Sequence, residues 1–280
     1  MKWALAAVGL TTTVMSGQAG AIPEAIATAT TVPAYSHVVI VVEENHSTSS
    51  VIGDKAAPFI NSLAAGGALM TQSFAVAHPS EPNYLALFAG DTFGLDSDAC
   101  PLDFGDAPNL ASEIIAAGHT FGGFAEGIPA VGSPVCSAGR YARKHVPWLN
   151  FTNVPAAVSM PVGAFSIGSL PTVSFVVPDL DDDMHDGSVA AADTWLAATI
   201  SDYAQWAKAN NSLLIVTWDE DDARGDNRIP TIFYGAAVDP GTYSQPINHY
   251  NVLATVQEIF ALPKIGYAAQ APPVTGIWST

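Results

Sequence analysis

Three apolar runs in this 280-residue chain break off into clusters of oxygen ligands. "VVIVV" ends in Glu43-Glu44-Asn45, "VSFVVP" leads into an acid-rich stretch from Asp179 to Asp186, and "LLIVTW" ends in Asp219-Glu220-Asp221-Asp222. Each alone could be a polar turn following a strand. Gathered on one sheet edge, the three would repel strongly unless a cation lay between them. The chain carries 26 acidic residues against 9 basic ones, so salt bridges cannot neutralise most carboxylates. A tight acid cluster must then be solvated, protonated or holding a cation. The stretch "HPSEPNYLALFAG" adds a hydroxyl, because Ser80 falls between a strand pattern and a helix pattern, with Pro82 suited to the first helical turn. Ser80 is either an ordinary helix cap or a nucleophile at a helix N-terminus, where backbone N–H groups and the dipole favour an alkoxide and a phosphate.

The elements that must position these residues alternate along the chain. "HVVIVV", "QSFAVA", "TVSFVV", "LLIVTW" and "IPTIFYG" read as strands, and "APFINSLAAGG", "PNYLALFAG", "NLASEIIAAG" and "NVLATVQEIFAL" as helices. "DTWLAATISDYAQWAKANN" reads as a long helix with Asp193 as its N-cap. Continuous apolar strands alternating with helices predict an α/β three-layer sandwich with a largely parallel central sheet, ligand residues emerging at the C-terminal strand ends. The Pro/Gly-rich segment 91–171 has weaker periodicity and is expected to form a lid or cap within a single domain spanning 22–280.

Residues 1–21 read as an export signal: Lys2, an apolar stretch from Trp3 to Met15, then Ala19-Gly20-Ala21 as a cleavage site. The apolar run is too short for a membrane anchor, and no later stretch is long and apolar enough to span a bilayer. A secreted protein is therefore expected. There Cys100 and Cys136, flanking the Gly/Pro-rich region, can pair as a disulfide staple; two unpaired buried thiols are the alternative. The acidic balance argues against nucleic-acid or anionic-membrane partners. The few basic residues cluster at Arg140, Arg143 and Lys144 with His145 beside them, either a solvated loop patch or an anchor for an anionic substrate.

The motifs "VEENHS", "HPSEPNYLALFAG", "YARKHVPW", "DMHDGS", "TWDEDD" and "NHYNVLATVQEIF" together resemble the alkaline phosphatase superfamily, in particular its phosphoesterase branch of bacterial phospholipases C and acid phosphatases. The resemblance runs from about Pro33 to Trp278. It implies that Glu44 and Asn45 are metal ligands, that Ser80 is the nucleophile, and that Asn83 holds a phosphoryl oxygen. Asp219 and Glu220 would complete the cation's shell. Asp183, His185, Asp186 and His249 would serve a second metal or act on the leaving group, with His185 as general acid. His78, Arg140, Lys144 and His145 would contact substrate. Nucleotide pyrophosphatase relatives carry an Asp-His pair where this chain has Asp219-Glu220. The oxygen-rich set thus favours calcium, magnesium or manganese over two zinc ions. The activity implied is hydrolysis of phosphate monoesters, phosphatidylinositol 3-phosphate among them, through a phosphoserine. A phospholipase C-type diesterase and a non-enzymatic cation-binding protein are the alternatives.

Overall fold

The computed structural model describes residues 1–2 and 31–279. Residues 3–21 of the expected export signal therefore lie outside the described residues. The strands are β1 (His37–Glu43), β2 (Ala68–Met70), β3 (Ser73–Phe74), β4 (Phe121–Ala125), β5 (Ser137–Ala138), β6 (Tyr141–Ala142), β7 (Ser159–Pro161), β8 (Val173–Val177), β9 (Ser212–Trp218), β10 (Thr231–Gly235), β11 (Gly241–Tyr243) and β12 (Ile247–Asn248). The α-helices are α1 (Thr48–Val51), α2 (Pro58–Gly66), α3 (Ser80–Ala89), α4 (Leu110–Ala116), α5 (Val189–Ala209) and α6 (His249–Ile259).

Eight strands form the central sheet in the order β11-β2-β10-β9-β1-β8-β4-β7. β9, β1, β8, β4 and β7 run parallel, with Ile40 of β1 opposite Phe175 of β8 and Ile215 of β9. Both faces of these strands are covered, which is why they read as unbroken apolar runs. On one face Val38, Ile40 and Val42 pack with Phe88 of α3 and Leu253 of α6. On the other, Val39 and Val41 pack with Ile60 of α2 and Leu196 and Ile200 of α5. The three expected layers are present. β10 departs from the parallel pattern, running antiparallel to both β9 and β2. The short β2 escapes a periodicity reading because three residues carry no period.

One sequence expectation is corrected by the layers. The long helix begins at Val189, where the Ser188 side chain caps Ala191 N–H, five residues before the start expected with Asp193 as N-cap. Asp193 lies inside α5, and its carboxylate instead accepts from the N–H groups of Phe59 and Ile60, at 3.1 and 2.8 Å. It therefore supplies the first-turn acceptor that α2 lacks from its own cap residue, Ala57. Within 91–171, α4 falls where "NLASEIIAAG" reads as a helix, and β4 and β7 join the central sheet. Cys100 and Cys136 are disulfide-bonded across that segment, with Cα atoms 5.8 Å apart. Among the described residues, no helix is long and apolar enough to cross a membrane.

Candidate active site

β9, β1 and β8 are neighbours in the sheet, so their C-terminal ends deliver Asp219-Glu220, Glu44-Asn45 and Asp183 to one edge. Pleating separates the two adjacent glutamates: Glu43 falls on the α5 side and Glu44 on the α3 side. The end of β1 is pinned to both flanking loops. Glu44 N–H donates to the Asp183 carbonyl at 2.8 Å, and Asn45 N–H donates to Asp219 Oδ1 at 3.1 Å. Asn45 makes that turn with φ at +43°, a left-handed conformation asparagine tolerates better than most residues. In the DMHDGS loop, Gly187 is obligatory for close approach, since a Cβ there would lie 1.7 Å from the Asp181 carbonyl oxygen.

α3 starts at Ser80 under this edge. The N-cap of α3 is Pro79, and the Ser80 hydroxyl is turned to the carboxylates instead of to the helix. Its Oγ lies 3.0 Å from Glu44 Oε2, 3.2 Å from Glu220 Oε1 and 3.5 Å from Asn45 Oδ1. Of the two sequence readings, the geometry is that of a hydroxyl placed among carboxylates. The Asn45 amide has two uses. With its nitrogen turned inward it donates to Glu44 Oε2 and Asp219 Oδ1, at 3.0 and 3.2 Å; with its oxygen inward it adds another oxygen to the cluster.

A ligand-type atom from each of Glu44, His145 and Asp183 lies within 4.8 Å of the other two, and all three residues are buried. Glu44 Oε1, His145 Nε2 and Asp183 Oδ2 are each without a hydrogen-bond partner. His145 Nε2 approaches Glu44 Oε1 to 3.1 Å, but not in hydrogen-bonding geometry. Burial, reinforced by Lys144 and His185, pushes the His145 imidazole well below its ordinary range, so it is neutral. Burial pushes the Glu44 and Asp219 carboxyls well up, helped at Glu44 by the Asp219 charge and at Asp219 by the Glu220 charge. Burial raises Asp183 to about 7. Neutral imidazole and orphaned carboxylate oxygens are the donors a divalent cation takes, and orphaned buried polar atoms are otherwise costly. The residues fit a bound metal.

The remaining sequence-expected residues divide. Glu220 accepts from Ser80 with one oxygen and pairs with His78 Nδ1 through the other, while His78 Nε2 lies 3.5 Å from Asp221 Oδ1. Asn83 spends its amide on the approach loop: its oxygen accepts from Val76 and Ala77 N–H, and its nitrogen donates to the Ala77 and Pro79 carbonyls. That engages both donor protons and both lone pairs, so the structure makes Asn83 the clamp of the turn carrying Ser80. His249 is buried, with Nε2 donating to the Asp219 carbonyl at 2.7 Å; burial lowers it to about 4. It therefore supports the Asp219 loop and lies outside the Glu44–His145–Asp183 group.

At the rim, Asp186 is bonded to Arg140 Nη2 at 2.5 Å and to His185 Nδ1 at 2.8 Å. Lys144 Nζ sits 3.5 Å from His185 Nε2. Two members of the basic cluster are not surface cations. His145 joins the ligand-type group, and Arg143 is buried, its guanidinium donating to the carbonyls of Pro134, Leu102 and Leu149. Sequence reading gave Tyr84 no role. Its buried ring stacks on His145, centroids 5.1 Å apart at 12°, and fixes the imidazole plane. Its place one residue after Asn83 in the Ser80 motif was the available signal.

The Phosphoesterase family model matches residues 54–263. The chain belongs to the Phosphoesterase family. Among curated relatives of this family member, a phosphatidylinositol-3-phosphatase of Mycobacterium tuberculosis is 60% identical, the match covering 98% of this chain and 94% of that one. A phosphate-repressible acid phosphatase of Penicillium chrysogenum is 30% identical over 74% of this chain, which spans 55% of that longer protein. Among solved structures, a Vibrio parahaemolyticus protein of the alkaline phosphatase superfamily aligns with a TM-score of 0.59, covering 88% of this chain and 72% of that one at 15% identity. Murine ectonucleotide pyrophosphatase/phosphodiesterase 5 aligns with a TM-score of 0.60, covering 82% and 96% at 11% identity. Those two likenesses are of fold.

The raised carboxyls set a pH dependence for this phosphoesterase when metal-free. Asp183 at about 7 and Glu81, lifted by burial to about 8, stabilise the fold fully below the ordinary carboxylate range and lose that contribution as pH rises through these values. His249 acts oppositely, losing its contribution as pH falls from its ordinary 6.5 towards 4. With the acids in the majority, the thermal midpoint of chelated protein is expected to fall as pH rises from about 5 to about 8, and saturating divalent cation to blunt the fall because it binds the ionised carboxylates. A midpoint that climbs with pH in chelated protein would contradict the buried, uncompensated acids.

Proposed function

We propose that the chain is an exported, metal-dependent acid phosphatase that hydrolyses phosphate monoesters, phosphatidylinositol 3-phosphate among them, through a phosphoserine on Ser80. The observation that carries the reading is the Ser80 hydroxyl, held between Glu44 and Glu220 beside the partnerless atoms of Glu44, His145 and Asp183. The identity to the mycobacterial phosphatase supports the substrate class. The apolar, small-residue pattern of residues 1–21 supports export.

Glu44, His145 and Asp183, with Asn45, Asp219 and Glu220 close by, would hold the cation, which when bound supplies charge neutralisation and a lowered hydroxyl pKa. Ser80 attacks phosphorus, its proton passing to a carboxylate already within hydrogen-bond distance. The first turn of α3 favours the phosphoryl charge as it arrives on Ser80. His185, oriented by Asp186 through Nδ1, protonates the departing alkoxide. It then takes a proton from the water that attacks the phosphoserine, while the carboxylate returns its proton to the departing Ser80 oxygen and phosphate is released. Lys144 and Arg140 at the rim attract the dianion into a strongly acidic protein.

Side-by-side turnover of a chromogenic aryl phosphate monoester, the matching diester and vesicles containing phosphatidylinositol 3-phosphate tests this function. Faster release from the monoester, with inorganic phosphate freed from the vesicles, is expected. Preferential cleavage of the diester would replace the reading with a phospholipase C-type activity.

A further inference from the structure

The first turn of α3 and the rim cation Lys144 are joined by a residue from neither. Asp98 lies in the loop just before Cys100, and its carboxylate bridges two groups: Oδ1 accepts from Glu81 N–H at 2.9 Å, and Oδ2 accepts from Lys144 Nζ at 2.8 Å. Glu81 directly follows Ser80, and Lys144 directly precedes His145. One carboxylate therefore spans the chain segments carrying the hydroxyl, the imidazole and the rim ammonium.

Several bonds fix Asp98 in that place. The Cys100–Cys136 disulfide holds its loop against the strand pair leading into Lys144, where the Cys136 carbonyl accepts from Arg143 N–H at 3.0 Å. The buried Arg143 guanidinium donates to the carbonyls of Leu102 and Pro134, one on each side of the disulfide. It also reaches Asn150 Oδ1, and Asn150 Nδ2 donates to Glu81 Oε1 at 3.1 Å. Glu81 is thus held at its backbone by Asp98 and at its side chain by Asn150, residues that flank the disulfide-closed loop on either side. Lys144 is a long, flexible side chain that would otherwise lose substantial rotamer freedom on ordering. Held by Asp98, the Lys144 ammonium sits 3.5 Å from His185 Nε2.

We propose that Asp98 is a positioning residue for substrate binding, acting through Lys144: it holds the ammonium at the mouth beside His185, where it meets the incoming phosphate dianion. This rests on the reading of Lys144 as a substrate anchor. The role goes unmarked in the sequence, because Asp98 lies in an aperiodic loop and reaches Glu81 and Lys144 only through tertiary contacts.

The test is steady-state kinetics with the aryl monoester on metal-loaded protein for Asp98→Asn, Asp98→Glu, Lys144→Ala and the Asp98→Asn/Lys144→Ala double variant. Unchanged circular dichroism and an intact disulfide by mass serve as fold controls. Asp98→Asn keeps an acceptor for Glu81 N–H but removes the charge that holds Lys144. It is expected to raise KM about tenfold with little change in kcat, the scale of one charge-assisted bond. Asp98→Glu is expected to recover part of the loss. The double variant should be no worse than Lys144→Ala alone, since both changes disable one device. If Lys144→Ala raises KM while Asp98→Asn does not, or if the two effects add, the positioning role is overturned and the anchor survives. If Lys144→Ala leaves KM unchanged, the anchor reading itself fails. A lowered KM in Asp98→Asn would show that the carboxylate competes with substrate, which also overturns the proposal.

Discussion

Ser80→Ala is expected to cut turnover by at least ~10³, on the scale of losing an activated nucleophile. The change removes one oxygen and little volume. Alanine is at home at the start of a helix, and no capping bond is lost, because the Ser80 hydroxyl points away from α3 to Glu44 and Glu220. The fold should therefore persist, and cation binding should survive in part because the Glu44, His145 and Asp183 donors remain. Residual activity should come from slow direct attack by water. Acid-quenched protein should also lose any covalently held phosphate. Retention of more than about a tenth of wild-type turnover in a folded variant would remove Ser80 from the chemistry.

Glu44→Gln is expected to have the next largest effect. Glutamine keeps the shape and one acceptor but deletes the charge beside Asp219 and Asp183, both of which contribute to raising the Glu44 carboxyl. If these acids are tolerated because a cation joins them, bound metal and turnover fall together, and excess cation restores part of the activity by mass action. The metal-free variant should be slightly more stable than metal-free wild type, since a buried carboxyl that must take up a proton on folding has gone. A variant with full turnover and an unchanged cation requirement would show that Glu44 is not a ligand.

The sheet edge was legible in the sequence for a physical reason. Parallel strands covered on both faces leave unbroken apolar runs, and whatever follows such a run must emerge at the ligand-binding edge; Glu44, Asp183 and Asp219 all obey this. His145 was read with its charged neighbours because local composition shows Arg143 and Lys144 beside it, while its burial depends on an excursion without periodicity. The Asn83 motif was recognisable, but the bonds that occupy its amide come from backbone shape that no pattern reports. Asp193 illustrates the same limit: its type announces a cap, and only packing tells that the capped helix is α2. The direction of β10 was equally hidden, because an apolar run of five residues reads alike in either sense.

Elemental analysis of the purified protein, paired with turnover before and after chelation, reaches the centre most directly. A stoichiometric divalent ion, loss of monoester hydrolysis when it is stripped, and recovery on its return are the results expected from partnerless Glu44, His145 and Asp183 atoms beside the Ser80 hydroxyl. Undiminished turnover by protein shown to be free of metal would contradict a cation-assisted serine.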